Sequence, residues 1–284
     1  MNYLKLFLRD IRIEHTLFGL PFAYVGAVMG AHGIPTFAQL FWITLAVAGA
    51  RTAAMAANRF FDRRIDAANP RTKNRPTASG ALPPSVMVAA VVAGLLLTLV
   101  AAWNLNPLCV ALLPVAALTL LVYPLCKRFT WAAHFVLGAV DGFAPLGAFI
   151  AVTGTITFPA LLLFLAVTIW VAGFDILYAL MDYDIDVAQR LNSIPVRFGE
   201  RAGRALPLAM HVLMVLMLWF AGALSGAPAI YYAGVALAAF LVVYEGRLIA
   251  LASNMFTLND RVLATNMAFS VGFLVTTVAA YVLK

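Results

Sequence analysis

Nine apolar runs dominate the chain, at about residues 12–31, 38–58, 84–103, 107–125, 131–151, 158–181, 205–223, 229–250 and 263–283. Each is close to the roughly 20 residues that a helix needs to cross a bilayer. In hydrocarbon every backbone N–H and C=O must find its partner within the protein, so runs of this length become helices. The 284 residues are 64% hydrophobic and only 11% charged, which leaves too little polar surface for an ordinary soluble domain. The expected fold is an all-α polytopic membrane protein of nine transmembrane helices, with 1–284 as a single transmembrane domain. Pro21 and the lack of a clear cleavage site argue against reading the first run as a removable leader.

Charge distribution sets an expected orientation. Lys5, Arg9 and Arg12 precede the first run, and the connections after the even-numbered runs carry Arg59, Arg63, Arg64, Arg71, Lys73, Arg75, Lys127, Arg128, Arg190, Arg197, Arg201, Arg204 and Arg261. The opposite loops, around 32–39, 104–106, 152–157 and 222–228, contain no Lys or Arg. This asymmetry predicts the N-terminus in the cytoplasm and the C-terminus outside, in a bacterial-type inner membrane. It also accounts for the net charge of +7 without nucleic acid, since the basic residues sit where anionic headgroups or substrates would meet them. Cys109 and Cys126 lie about 25 Å apart on one expected helix, too far to bridge each other.

Two of the basic connections, 66–84 and 182–204, are long and polar, while the outer loops are short, so function is expected on the cytoplasmic face. The helix that enters the first of them ends in RTAAMAANRFFDRRID. Asn58, Asp62 and Asp66 recur every four residues, and Asn58 lies roughly −20° from Arg51 on the same face. The helix that enters the second ends in GFDILYALMDYDID, where Asp175, Asp182 and Asp186 repeat the spacing of seven and four. Asp184, turned about 200° from Asp182, reads as a solvent-facing or cap residue. Carboxylates placed this way in lipid are costly unless something positive lies among them. Clustered oxygen ligands suit a hard cation, and Mg²⁺ bridges a few carboxylates to substrate phosphates, so the paired stripes read as a diphosphate–metal site. The competing reading is interfacial salt bridges to Arg63, Arg64 or Arg71.

These residues resemble the UbiA superfamily of intramembrane prenyltransferases. Its first signature, NDxxDxxxD, is matched by Asn58, Asp62 and Asp66, and its second, DxxYAxxDxxxD, by Asp175, Tyr178, Ala179, Asp182 and Asp186. Arg75-Pro76 resembles the RP of the first cytoplasmic loop, and Tyr123-Pro124, Lys127-Arg128 and Thr130 resemble YPxxKRxT. The similarity spans most of 12–204; the last three runs match only in hydropathy. Arg59 departs from the pattern, standing where the signature usually has Asp. That leaves one fewer acid for metal, and a rotation of about 100° from Asn58 is expected to turn Arg59 towards the diphosphate.

The resemblance implies a nine-helix bundle around a central cavity open sideways to lipid and capped by the two cytoplasmic loops. It implies transfer of a polyprenyl chain from a polyprenyl diphosphate to an aromatic acceptor. In that reading Mg²⁺ is held by Asn58, Asp62, Asp66, Asp182 and Asp186, and assists departure of the diphosphate. Lys73, Arg75, Lys127 and Arg128 clamp phosphate oxygens, unless they serve topology alone. Asp62, Asp182, Asp175 and Arg51 are the expected catalytic set. Arg51, two turns deeper than Asn58, pairs either with an acceptor carboxylate or with Asp175. Tyr178 and Asp141 join Arg51 as acceptor-side residues; Asp141 either takes a proton or makes an interhelical contact. Glu14 and His15 are further cavity candidates, whereas His134 and His211 look incidental. Phe60, Phe61, Phe174, Trp170 and Tyr178 could shield a cation, although bundle aromatics are usually packing.

Acidic acceptors of quinone synthesis suit Arg51. The sequence resembles the 4-hydroxybenzoate branch and, in RIEHTLFGLPFAYVGA and ARTAAMAANR, the prenyltransferases of the futalosine route to menaquinone, whose acceptor is a carboxylated dihydroxynaphthoate. Haem O, chlorophyll and archaeal lipid ether synthases fit less well. No obligate protein partner is evident. A cation-coupled transporter would also place acids in a bundle, but nearer the midplane. The spaced-Asp signature of CDP-alcohol phosphotransferases is absent, and a purely structural scaffold would tolerate these stripes poorly.

Overall fold

The computed structural model describes residues 3–11, 16–252 and 255–283. Its elements are helical throughout: α1 (Tyr3–Asp10), α2 (Thr16–Ala31), α3 (Phe37–Ala68), α4 (Pro84–Leu105), α5 (Pro107–Cys126), α6 (Ala133–Thr153), α7 (Phe158–Ala179), a 3₁₀ turn (Leu180–Asp182), α8 (Tyr183–Ala188), α9 (Ile194–Phe198), α10 (Glu200–Ser225), α11 (Ala229–Leu251) and α12 (Met255–Val282). Among the described residues eight helical stretches are long and apolar enough to cross a membrane, and α2 contributes a shorter apolar one. The protein is an integral membrane protein. Glu14 and His15 lie outside the described residues.

Local chemistry sets the helix ends. Thr36 and Gln39 close a reciprocal capping box at the start of α3. Asn106 caps α5 by accepting from the Cys109 N–H, and it donates to the Ile150 carbonyl across to α6. Thr157 caps α7, and α6 and α10 stop at left-handed glycines, Gly154 at φ 67° and Gly226 at φ 65°. Hydropathy marks the end of the second span at 58, but α3 continues to Ala68. At 1.5 Å per residue it is about 48 Å long, so its last turns stand beyond the apolar zone with Asn58, Asp62 and Asp66 on them.

Small residues let the helices close around the core. A β-carbon at Gly26 of α2 would sit 2.1 Å from the Pro145 carbonyl oxygen of α6, and one at Gly138 of α6 would sit 2.0 Å from that of Thr168 in α7. Without a hydrophobic driving force between helices in lipid, such backbone approach supplies much of their association. The main core gathers around Phe22, Trp170, Phe269 and Phe273, with the Phe22 and Trp170 ring centroids 5.0 Å apart. Trp170 is therefore a packing residue, its indole N–H donating to Asn266 Oδ1 at 2.7 Å. A satellite cluster of Ile11, Ala56, Leu82 and Met87 fastens the N-terminal segment and the end of the 69–83 connection onto α3 and α4.

Candidate active site

The ends of α3 and α7 meet at one cavity of about 390 Å³. Asn58, Asp62 and Asp66 reach it from α3, Asp175 and Tyr178 from α7, Asp182 from the 3₁₀ turn and Asp186 from α8. Arg71 and Arg75 enter from the 69–83 connection, Lys127 from the end of α5, and His134 and Asp141 from α6. At its deep end Arg51, Met55, Tyr123, Leu137 and Asp141 also border a second, largely apolar cavity of about 210 Å³. That cavity runs between α3, α4, α5 and α6 as far as Ile43, Leu105, Cys109 and Ile150.

The second stripe is not one continuous α-helix. The 3₁₀ turn winds more tightly than the α-helix before it, and Asp182 sits at φ −103°, ψ 7°. Asp175, Asp182 and Asp186 reach the cavity nevertheless, while Asp184 is exposed, as its position predicts.

Most of the acids are engaged by polar or basic side chains. Asp62 Oδ2 accepts from Lys127 Nζ at 2.6 Å and from Asn58 Nδ2 at 3.0 Å, and Arg128 Nη2 lies 3.3 Å from Oδ1. Asp66 Oδ2 accepts from Arg75 Nη1 at 2.8 Å. Asp182 accepts from Asn69 Nδ2 at 3.0 Å and from both Nε and Nη2 of Arg71, a guanidinium fork. Burial opposes the charge on Arg71, but the Asp182 carboxylate more than offsets it and raises the guanidinium pKa. The Asp186 side chain makes no hydrogen bond or ion pair to another described residue, while its backbone carbonyl accepts from the Leu191 N–H at 2.8 Å. Among the described residues no three acids, histidines or cysteines converge closely enough to form a metal cluster. The five expected ligand residues share one cavity, in which Lys127, Arg71 and Arg75 hold Asp62, Asp182 and Asp66 respectively.

Of the expected phosphate clamps, Arg75 and Lys127 line the cavity; Lys73 and Arg128 do not. After α3 the chain turns tightly, with Lys73 N donating to Asn69 O and Arg75 N to Thr72 O. Arg71 and Arg75 reach the cavity, whereas the exposed Lys73, midway between them, does not. Arg128 approaches Asp62 from outside, pinned to the Pro124 and Phe61 carbonyls, both at 2.8 Å. Pairing with Arg63, Arg64 or Arg71 is realised for Arg71 alone: Arg63 donates to Phe60 O and lies 4.7 Å over its ring, and Arg64 is exposed.

Arg51 does not pair with Asp175. Its Nε is buried without a hydrogen-bond partner, and it forms no ion pair among the described residues. Asp175 instead accepts from His134 Nδ1 at 2.7 Å. His134 Nε2 accepts the Ile194 backbone N–H at 3.2 Å, so the proton must reside on Nδ1. This histidine, which looked incidental, joins Asp175 to the connection that carries α9. No local pattern around position 134 announces it, because its partners lie 41 and 60 residues away. His211 is likewise engaged, with Glu245 Oε2 at 2.8 Å and the Trp170 carbonyl at 3.0 Å. Arg59 borders the cavity, but its guanidinium donates to Asp10 O and Asn58 Oδ1 and is not turned towards a diphosphate as its rotation suggested.

The fold and site define a polytopic helical membrane protein with a charged cavity opening into an apolar one. Comparison places it more narrowly: the chain belongs to the UbiA prenyltransferase family, whose model matches residues 19–255. The match runs through α10 and α11, beyond the motif-bearing part, and makes this protein a prenyltransferase of that family. It is 36% identical over 230 residues to a 4-hydroxybenzoate octaprenyltransferase of Alkalilimnicola ehrlichii, covering 79% of this chain and 76% of that protein. The apo structure of a UbiA homologue from Aeropyrum pernix K1 superposes with a TM-score of 0.81 at 35% identity, covering 90% of this chain and 97% of that one. A UbiA homologue from Archaeoglobus fulgidus, solved bound to GPP and Mg²⁺, shares the fold at a TM-score of 0.69 and 18% identity, covering 95% and 99%.

Proposed function

We propose that the protein transfers a polyprenyl chain from a polyprenyl diphosphate to an aromatic carboxylic acid, with Mg²⁺, at the cytoplasmic end of a nine-span, single-domain bundle whose C-terminus lies outside. The observation that carries this is the junction at Arg51 and Asp141, where the charged cavity meets the apolar one. A diphosphate and its isoprenoid tail require those two environments side by side.

The donor set fits a hard divalent cation. Asp62, Asp66, Asp182 and Asp186 offer carboxylate oxygens to one cavity, and Asp186 is not committed elsewhere. When bound there, Mg²⁺ supplies charge neutralisation for the leaving diphosphate. Lys127, Arg71 and Arg75 are placed to pass from acid to phosphate oxygens as the substrate enters. Each would exchange one charged partner for another without becoming bare.

Arg51 is the acceptor-side cation. It lies away from the phosphate clamps, and its buried Nε seeks an acceptor that a carboxylate supplies. Asp175, held by the Nδ1 proton of His134, and Asp141 are the carboxylates placed to take the ring proton or activate a phenol. Phe174 and Tyr178 line the same cavity. The names of the curated relatives favour 4-hydroxybenzoate, whereas the segment resemblances favour a carboxylated dihydroxynaphthoate; both provide the carboxylate that Arg51 needs.

Asp62→Ala and Asp182→Ala test the assignment. Each variant is expected to remain folded in detergent, because Lys127 and Arg71 are partly exposed and can turn to water. Each is expected to lose turnover by at least about 100-fold, on the scale of removing an electrostatic stabiliser of a transition state. Near-normal rates in either variant would refute the reading.

A further inference from the structure

Arg59 is the one departure from the first signature, and a buried chain of hydrogen bonds explains it. Asp10, at the end of α1, is 2% exposed and Arg59 is 5% exposed. Arg59 Nε donates to the Asp10 carbonyl at 2.9 Å and lies 3.5 Å from Asp10 Oδ1. Arg59 Nη1 donates to Asn58 Oδ1 at 2.7 Å, and Asn58 Nδ2 donates to Asp62 Oδ2 at 3.0 Å. With a donor on one side and a carboxylate on the other, the Asn58 carboxamide has only one orientation that satisfies both. Its oxygen is turned to Arg59, and what it offers the site is an N–H aimed at Asp62.

Asp10 has a second task. Its Oδ2 accepts the Thr77 backbone N–H at 2.9 Å and also the Thr77 hydroxyl. Thr77 follows Arg75 and Pro76, so the same carboxylate that compensates Arg59 also anchors the connection that carries Arg75 to Asp66. Leu6 and Phe7 of α1 pack on the cluster of Ile11, Ala56, Leu82 and Met87, which brings Asp10 to this point.

We propose that Asp10 and Arg59 are positioning residues: through Asn58 they fix the Asp62 carboxylate for the metal. This rests on the metal-dependent reading above. It opposes the simpler view that Arg59 marks a ligand lost from the signature, and the two views make opposite forecasts. Arg59→Asp restores the signature. If a ligand had been lost, the variant would bind metal more tightly; if Arg59 positions, it sets a second carboxylate against buried Asp10, releases Asn58 and weakens binding.

The test is Mn²⁺ titration of the purified full-length chain in nanodiscs, followed by loss of the free-ion resonance signal, with thermal melting alongside. Arg59→Asp is expected to weaken Mn²⁺ at least about tenfold, on the scale of removing an outer partner of a metal ligand. Arg59→Met leaves Asp10 uncompensated and is expected to melt early or fail to fold. Arg59→Met with Asp10→Asn removes both charges, so its melting temperature should recover while Mn²⁺ binding stays about tenfold weak. A structural role alone would restore both together. Recovery of wild-type Mn²⁺ affinity in the double variant, tighter binding by Arg59→Asp, or no Mn²⁺ binding by the wild type would overturn the proposal. Prenyl product formation is scored on the same wild-type sample. Mn²⁺ binding without product would sink the transferase reading and leave the positioning role standing.

Discussion

Arg51→Met separates a functional cation from a structural one. Arg51 Nε is buried and unpartnered, and the side chain forms no ion pair among the described residues. Leaving a buried donor unsatisfied costs about 1–3 kcal/mol, and an apolar residue of similar length removes that cost. The variant is therefore expected to be as stable as the wild type or more stable by up to about 3 kcal/mol, read as an unchanged or raised melting temperature in detergent. Catalysis should move the other way. A hydrogen bond to a charged group contributes about 1.5–3 kcal/mol, and 1.4 kcal/mol is tenfold in an equilibrium constant. Loss of the guanidinium should thus lower kcat/KM for the aromatic acid about 10- to 150-fold. The KM for the polyprenyl diphosphate should hardly change, because the phosphate clamps lie at the other end of the cavity. Steady-state kinetics with each substrate varied in turn gives both numbers. A variant that melts early and loses activity equally towards both substrates would make Arg51 a strut. A rise confined to the diphosphate KM would move it to the phosphate site.

Two other perturbations probe the scaffold and the second acidic stripe. Gly138→Ala places a β-carbon 2.0 Å from the Thr168 carbonyl oxygen and should destabilise by about 1–3 kcal/mol, the range for overpacking, whereas Gly147→Ala on the same helix meets nothing within 4 Å and should be neutral or stabilising. Equal melting temperatures for the two would refute the close α6–α7 approach. His134→Ala removes the donor to Asp175 and the acceptor of the Ile194 N–H, so kcat should fall about tenfold or more and the Ile194 amide should exchange faster with solvent. Unchanged exchange and rate would return His134 to the background.

The helices were legible because lipid leaves a long apolar run few alternatives, and their ends were legible where Thr36, Asn106, Thr157 and Gly154 supply caps. The first acidic stripe was legible because α3 continues unbroken through Asp66. The second was legible in spite of its geometry: the 3₁₀ turn at Leu180–Asp182 breaks the helical periodicity, yet the carboxylates still reach the cavity. What sequence could not show was the choice of partner. Lys73 and Arg71 are indistinguishable by composition, and the tight turns after Ala68 decide which reaches the cavity. His134 and Asp10 have no local signal, since each acquires its role from residues 41 to 67 positions away. Arg59 was visible as a departure, but its direction was set by buried Asp10, which rotation about a helix axis does not reveal.

The central claim is that one site joins a prenyl chain to an aromatic acid. It is tested most directly by incubating the purified protein with Mg²⁺, a polyprenyl diphosphate and an equimolar mixture of aromatic acids with their decarboxylated counterparts, read by mass spectrometry. The expected result is a prenylated acid with stoichiometric release of diphosphate, abolished by chelation, with the carboxylated acceptor favoured over its decarboxylated form. Absence of any prenylated product, or uptake of substrate by proteoliposomes without product and without Mg²⁺, would contradict it.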